Sequence, residues 1–598
     1  MLKEGILYMS ICIKKIKPKI MFYLWLSLIF ISLIFTIPFI QSLIADFIVQ
    51  MTGSAHGYER WFRRVHEYAY RPLFICTVIP AIIFYFKSKF FADAKLNYNS
   101  IQQTSNYSKK AVFILIAVTA LIILSLSTTS SFLYPFNFWN DSNIIYTVGK
   151  GMAKGIVPYK DIFERKGILL FFIHEIGYLL VPNTFYGIFI LELLAAFFFL
   201  LLCYKTAKLF TSKSVIILIP VLAAFIYSAY NTKSGDSAEE FCLPLLMYPL
   251  YISLKNIQQE KLFSKGELFF SGICAGCIFW IKYTMVGFFF GWVIIPVIYL
   301  IKNKQFKLIF EYAALFLAGI ILTTIPWAIY FSVNHAIKDW IGTYIFSLME
   351  GSNNSKTTLF KILISYIRNI PSMIHYNLHL FIFSAFGLIY IIKTAKKDLV
   401  IHIILTFIFT YLFIFYKGMF QRYYCFILGI FSVFAIIPIH KLLISFYNQS
   451  SLKNLTSNIA FSIILVLSIL YTITNYIYIG FMTTKKENYP QYRFAKIING
   501  YENSTMMTYK FMDRGFYTYA DKLPNFKYFF EMGSDTPEQK KYAEEWIAAG
   551  NVDFLITEDA AYDLEHYTLI AEDSITFEYG RYFEDTKYYL YKLNGLEK

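Results

Sequence analysis

Long, nearly uncharged apolar runs leave this chain few ways to fold. They recur at about 21–44, 72–88, 111–131, 184–204, 214–230, 239–254, 267–283 and 284–302. The remainder lie at about 308–331, 376–394, 399–416, 423–442 and 457–480, with short Lys-rich connectors between them. Each is about 17–25 residues, the helical length that crosses a bilayer. In hydrocarbon only a helix or a closed barrel satisfies its own backbone. The pattern predicts an α-helical polytopic membrane protein of about thirteen transmembrane helices. Charged residues make up 16% of the chain, against roughly 25% in ordinary globular proteins. Disorder, a nucleic-acid-binding module and a soluble enzyme with one aqueous core are ruled out.

The net charge of +16 divides unevenly. From Thr483 onward there are 14 basic and 20 acidic residues, which leaves 41 and 19 in the rest, or −6 against +22. The basic excess belongs to the membrane part, where it orients spans and attracts anionic lipid. Lys14, Lys15, Lys17 and Lys19 precede the first run, which has no small-residue cleavage site, so it reads as a retained anchor with a cytoplasmic N-terminus. Three segments decide the sidedness of everything after them. Ile168–Val181 is short and holds His174 and Glu175, so it reads as an interfacial or re-entrant helix. Residues 267–302 are too long for one crossing and break at Lys282-Tyr283, so they read as two. Residues 72–88 contain Pro80 yet are followed by Lys87, Lys89 and Lys95, which bring the chain back inside.

With that count the tail faces outside. Asp535-Thr536-Pro537-Glu538-Gln539 reads as a capped helix start, running to Ala549 and stopping at Gly550. Asn551–Thr557 and Lys587–Leu593 read as strands. The expected organisation is an N-terminal hairpin and connector (1–110), a transmembrane catalytic module (111–482) with an external loop at 132–183, and a small external α/β domain (483–598). All seven cysteines lie in or beside apolar segments, which excludes a disulfide within the tail. Cys274-x-x-Cys277 sits in an apolar stretch and reads as helix packing rather than redox chemistry.

Ionisable residues near apolar spans converge on the external face: Lys166, Asp236 with Glu239 and Glu240, Lys282, and Lys417 with Arg422. Charges at membrane depth are costly, and several on one face mark a functional cavity. Asp141 opens a helix just beyond a span in an aromatic setting. A carboxylate there suits proton abstraction from a hydroxyl, and it also suits a plain helix cap. Cations at headgroup level suit a lipid phosphate.

The order Asp141, Tyr146, Gly151, Gly155, Pro158-Tyr159, Asp161, Phe163, Lys166-Gly167 resembles the first external loop of bacterial GT-C glycosyltransferases of the family 39 type. These are similar to protein mannosyltransferases and to the aminoarabinose transferase of lipid A. Ser237–Leu245, Gly272–Lys282 and Tyr416–Tyr424 resemble further segments of that family, and the resemblance covers most of 111–480. It implies an eleven-span GT-C module in a bacterial plasma membrane, extracytoplasmic catalysis, and inverting transfer from a polyprenyl-phosphate sugar donor to an envelope glycan, lipid or protein. By position Asp141 carries over as the base, Lys166, Arg422 and Lys282 as donor-phosphate contacts, and Tyr146, Tyr159, Asp161, Asp236, Glu239 and Glu240 as substrate-side residues. Ile168 stands where many relatives have Pro, and Lys233–Glu240 departs from the usual second-loop wording.

No metal site is assigned from the sequence, although some relatives bind a divalent cation. His375 and His379 have i, i+4 spacing but no third ligand nearby in sequence. Arg60, Arg63, Arg64 and Arg71 flank the first hairpin and suit lipid phosphates or an interfacial helix. No P-loop, GxSxG or HExxH context occurs. Two other classes stand beside the enzyme: a transporter or flippase of lipid-linked sugars, which wants polar residues at mid-membrane in two related halves, and a non-catalytic envelope assembly protein using the tail for binding.

Overall fold

The computed structural model describes residues 38–52, 107–229, 234–346, 359–376, 378–416, 422–449, 457–531, 535–579 and 582–597. The expected span at 72–88, the four arginines Arg60, Arg63, Arg64 and Arg71, most of the first span and Lys417 lie outside the described residues. So do the side chains of Arg422, His375 and His379.

The first helix, α1 (Pro38–Thr52), covers the end of the first apolar run. The body continues through α2 (Lys109–Ser127), α3 (Asn140–Ala153), α4 (Ile168–Leu180), α5 (Tyr186–Lys208), α6 (Ile219–Tyr227), α7 (Ala238–Gln259), α8 (Lys265–Lys282), α9 (Gly287–Lys302) and α10 (Phe306–Val333). Later helices include α11 (Lys397–Ile414) and α12 (Ser457–Asn475). Among the described residues, 7 helical stretches are long and apolar enough to cross a membrane, and shorter apolar helices lie at Ile40–Met51, Ile168–Leu180, Lys213–Tyr227 and Leu380–Thr394.

The paired reading of 267–302 has a direct structural counterpart. One of the long stretches, Lys265–Lys302, is split by a 3-10 turn at Tyr283–Val286 into α8 and α9. A Cβ at Gly272 would fall 2.1 Å from the Phe316 carbonyl oxygen, Gly276 faces Ile320 and Thr323, and Trp280 Nε1 donates to Thr324 Oγ1 at 3.0 Å. Contacts that climb both helices together make α8 and α10 parallel, so the chain reverses twice between them. Small residues let such helices approach without a hydrophobic drive from water. Helix α7 runs antiparallel to α8: Lys255 pairs with Glu267 at 2.8 Å at one end, and Lys282 pairs with Glu239 at the other. Glu267 also closes a capping box with Ser264, so the start of α8 is tied both to its own backbone and to α7.

Along α10 the side chains of Phe310, Leu317, Ile321, Ile325 and Ile329 are exposed. In water such a stripe would be a sticky patch; against acyl chains it needs no cover. The other half of the problem, backbone polarity, is met within each helix.

Beyond α12 the tail folds as a small α/β unit. Strands β1 (Met506–Thr508), β2 (Phe554–Glu558), β3 (Tyr567–Tyr579) and β4 (Tyr582–Leu593) form one sheet in the order β1-β2-β4-β3. β1 and β2 are parallel and the other neighbours antiparallel. The expected helix is α13 (Pro537–Ala548), with a Thr536/Gln539 capping box, and Gly550 beyond it takes a left-handed φ of 70°. It supplies part of the crossover from β1 to β2 that a parallel pair requires. Both expected strands are present, the second of them longer than its sequence signal. β1 and β3 carry signals too short or too polar to stand out.

Candidate functional site

The site is assembled by the loop joining α2 to α4 and by the ends of α7 and α8. Asn137 is fully buried and its Oδ1 accepts from Trp139 N at 3.0 Å, which turns the chain into α3. Asp141 then lies in the first turn, where the helix dipole favours a negative charge. Its side chain is 17% exposed, so it is reachable from the cleft.

Lys166 comes from the other end of the loop. Its Nζ is 3.5 Å from Asp141 Oδ1 and 3.4 Å from Glu164 Oε1. The same Glu164 oxygen accepts from Arg165 N and Lys166 N, so the lysine is gripped by its own backbone turn. Burial alone would lower the Lys166 ammonium, but the Asp141 and Glu164 carboxylates outweigh it and hold it above the ordinary lysine range. It is therefore charged at any physiological pH.

Two other loop residues act behind the cleft. Tyr159 is fully buried with a left-handed φ of 67°, packs on Phe171 and Phe331, and donates from Oη to the Lys166 carbonyl at 2.7 Å. Asp161 is exposed and accepts from Val157 N at 2.8 Å, closing the turn that presents Tyr159. Tyr146 lies in the core, with its ring 4.8 Å from Phe185 and 6.3 Å from Tyr178.

Gly167 brings this loop against α8. A Cβ there would sit 1.9 Å from the Trp280 carbonyl oxygen. We expect Gly167→Ala to lower stability by about 2–4 kcal/mol, as backbone overpacking does. Thermal unfolding in detergent checks this, with Gly266→Ala as control, since a Cβ at Gly266 meets nothing within 4 Å. Equal midpoints for the two variants would refute the close approach.

Lys282, at the end of α8, pairs with Glu239 and lies 4.2 Å from the centre of the Tyr424 ring. Tyr424 belongs to the 3-10 turn Arg422–Leu428, so Arg422 starts the element that brings it in. Tyr283 and Tyr416 hydroxyls meet at 2.7 Å nearby.

Asp236 and Glu240 point elsewhere. Asp236 is 1% exposed, with its carboxylate 3.0 Å from His174 Nε2 and its backbone N–H donating to Glu192 at 2.6 Å. His174 Nδ1 lies 2.9 Å from the Leu170 carbonyl, which can only accept. Nδ1 therefore carries a hydrogen in this contact. Glu240 is buried beside Glu192. These groups lock the second loop: Gly235, at φ 81°, fits against Thr128, and Thr128 Oγ1 donates to Glu192. Among the described residues no group of three or more His, Cys, Asp or Glu side chains is placed to hold a metal ion.

Sequence reasoning gave no role to Glu164 or Glu192, used His174 only to place its helix, and had Tyr424 only as the end of the late segment Tyr416–Tyr424. Glu192 did have a signal, as the one acid within the apolar helix α5. Cys274 and Cys277 are free thiols on α8, in keeping with a packing role.

Between α8 and α9 lies an apolar cavity of about 420 Å³, closed on one side by α10; its lining runs from Phe279 and Val286, near the Lys282-Tyr283 turn, to Phe263, Leu300 and Tyr312 toward the opposite ends of these helices.

No family model matches the chain, and no curated protein matches it. Solved structures do. The structure of ArnT from Cupriavidus metallidurans bound to undecaprenyl phosphate matches with a TM-score of 0.57 at 11% identity, covering 82% of this chain and 100% of that one. The apo form of the same protein gives 0.52 at 11% identity, covering 80% and 97%. At that identity the likeness concerns the fold. The chain shares the fold of ArnT.

Proposed function

We propose that this protein is an inverting glycosyltransferase that moves a sugar from a polyprenyl-phosphate donor to a cell-envelope acceptor on the extracytoplasmic face of a bacterial plasma membrane. The observation that carries the reading is Asp141 held 3.5 Å from Lys166, with Lys282 and one end of the apolar cavity nearby. The ArnT structure contains undecaprenyl phosphate, a ligand of the kind this arrangement suits.

In the proposed step an acceptor hydroxyl attacks the anomeric carbon while Asp141 takes its proton. The bond from that carbon to the phosphate oxygen breaks, and the polyprenyl phosphate leaves with the electron pair. One negative charge appears on the phosphate, where Lys166 and Lys282 stand to offset it. The first isoprene units lie in the cavity between α8 and α9. Attack opposite the leaving group inverts the anomeric centre. Asp141 returns its proton to water.

The test uses the purified full chain in lipid vesicles with a polyprenyl-phosphate hexose and membrane-derived glycans. We expect the donor to be consumed and the new linkage to have the opposite anomeric configuration by NMR. Intact donor with every acceptor fraction would overturn the proposal.

A further inference from the structure

The helix that carries Asp141 is held along one stripe by the tail domain. Asn140, Asn143 and Lys150 stand three and then seven residues apart on α3, and seven residues make about two turns, so the three share a face. Opposite them runs one short piece of the tail, from Met512 to Asp521, in the same direction. Met512 Sδ meets Asn140 Nδ2 at 3.5 Å. A Cβ at Gly515 would fall 1.9 Å from Phe136 Cζ and 2.9 Å from Asn143 Oδ1, so glycine is what lets the backbone come this close. Thr518 Oγ1 donates to Asn143 Oδ1 at 3.4 Å, and Tyr519 Oη donates to the Pro135 carbonyl at 3.1 Å. At the far end Lys150 Nζ lies 2.6 Å from Asp521 Oδ1, and Asp521 Oδ2 accepts from Asn183 Nδ2 at 2.9 Å.

This piece is itself braced. Asp513 is fully buried, and its carboxylate accepts from Gly515 N and Phe516 N at 3.0 and 2.9 Å, which caps the one-turn helix Phe516–Tyr519. Tyr517 Oη donates to the Met506 carbonyl at 2.8 Å and fastens that turn to β1. The tail also reaches the Lys166 side of the site. Phe163 N, three residues before Lys166, donates to the Lys527 carbonyl at 2.9 Å, and the Phe163 and Tyr528 rings lie 5.3 Å apart. One domain thus grips both the helix that begins at Asp141 and the stretch that delivers Lys166.

Lys150 gives the grip its register. Its side chain is 3% exposed, whereas that of Asp521 is 54% exposed. Burial draws the ammonium below the ordinary lysine range, and the Asp521 carboxylate opposes that shift. Such a pair is no firmer than an apolar contact of the same size, but it is directional: Lys150 meets this counter-charge when the tail sits at one place along α3. We infer that Asp521 and Lys150 are positioning residues for the transfer: their pair sets the register of the tail on α3, and the tail sets where Asp141 stands relative to Lys166. The inference rests on the reading of those two as the reacting pair, while the hold of the tail on α3 is measurable without any transfer.

The experiment uses the full chain in nanodiscs and compares wild type with Asp521→Asn, Lys150→Met and the double variant. Asparagine suits the left-handed φ of 51° at position 521 and removes the charge. Amide hydrogen exchange of residues 140–153, read by mass spectrometry, should be about tenfold faster in each single variant, with the span helices unchanged. Turnover should fall by about tenfold or more, while the donor KM stays within about twofold because Lys166 and Lys282 remain. The double variant should lose less than Asp521→Asn alone, since it strands no buried ammonium. Exchange at 140–153 unchanged in both single variants overturns the inference, and so does faster exchange with turnover at the wild-type level. Losses that multiply in the double variant would show two independent effects and overturn the pair. If wild type transfers no sugar, the transferase reading falls by itself, and the exchange measurement still decides whether the pair sets the register of the tail. If Asp521→Asn misfolds, Lys150→Met and the double variant, which leave no ammonium buried, decide in its place.

Discussion

Asp141→Asn abolishes most sugar transfer while leaving donor binding intact: turnover falls by about 10²–10⁴, the usual contribution of a general base, and the KM for the lipid donor stays within a few-fold. The substitution keeps size and a hydrogen-bonding oxygen, so Lys166 retains a partner and the first turn of α3 keeps its geometry. What it loses is a group able to take the acceptor proton as the new bond forms. That separates chemistry from binding, since an interaction realised only in the transition state changes turnover without changing ground-state affinity. The measurement is initial rate against donor concentration in vesicles, with near-wild-type thermal stability as the control. A variant that transfers at the wild-type rate would remove Asp141 from the mechanism.

The membrane architecture was largely legible, because hydrocarbon enforces long apolar helices and basic connectors report their ends. The two legs of 267–302 could be inferred from their length and the break at Lys282-Tyr283, and the capping box at Thr536 and Gln539 is visible as letters. The site was legible where it is local. Asp141 and Lys166 bracket one loop whose Gly and Pro spacing is characteristic, and the structure brings these two residues together. Asp236, Glu239 and Glu240 show the limit. Adjacent in sequence, they diverge because a helix starts among them: Glu239 turns to Lys282, whereas Asp236 and Glu240 turn inward to His174 and Glu192. Those partners come from α4 and α5, and no spacing rule joins residues 62 and 44 positions apart. The contact of Met512 with Asn140, across 372 positions, was equally out of reach, and with it the part the tail plays beside the site.

Lys166→Ala is expected to be as damaging as the loss of Asp141, but by another route. The lysine faces both carboxylates and the place where the leaving phosphate gains charge, so its removal should cut turnover by about 10²–10³ and also raise the donor KM. It further strands Glu164, which is 2% exposed and has Lys166 as its ion-pair partner. Removing one member of a buried pair costs about 3–5 kcal/mol, and the partial exposure of Lys166 puts this case below that range. Lys166→Arg keeps the charge but replaces a compact ammonium with a planar fork. With Gly167 pressed against Trp280 the loop has no room to retreat, so arginine should restore stability more than turnover. The pH behaviour follows from the raised Lys166 value. A lysine whose folded-state value lies above its unfolded one stabilises the fold fully below the ordinary lysine range, and loses that contribution only as the pH rises through and beyond it. Between neutrality and mildly alkaline pH, stability and donor affinity should therefore stay flat in wild type. An early alkaline loss of donor binding, well below the lysine range, would show that Lys166 is not held charged by Asp141 and Glu164.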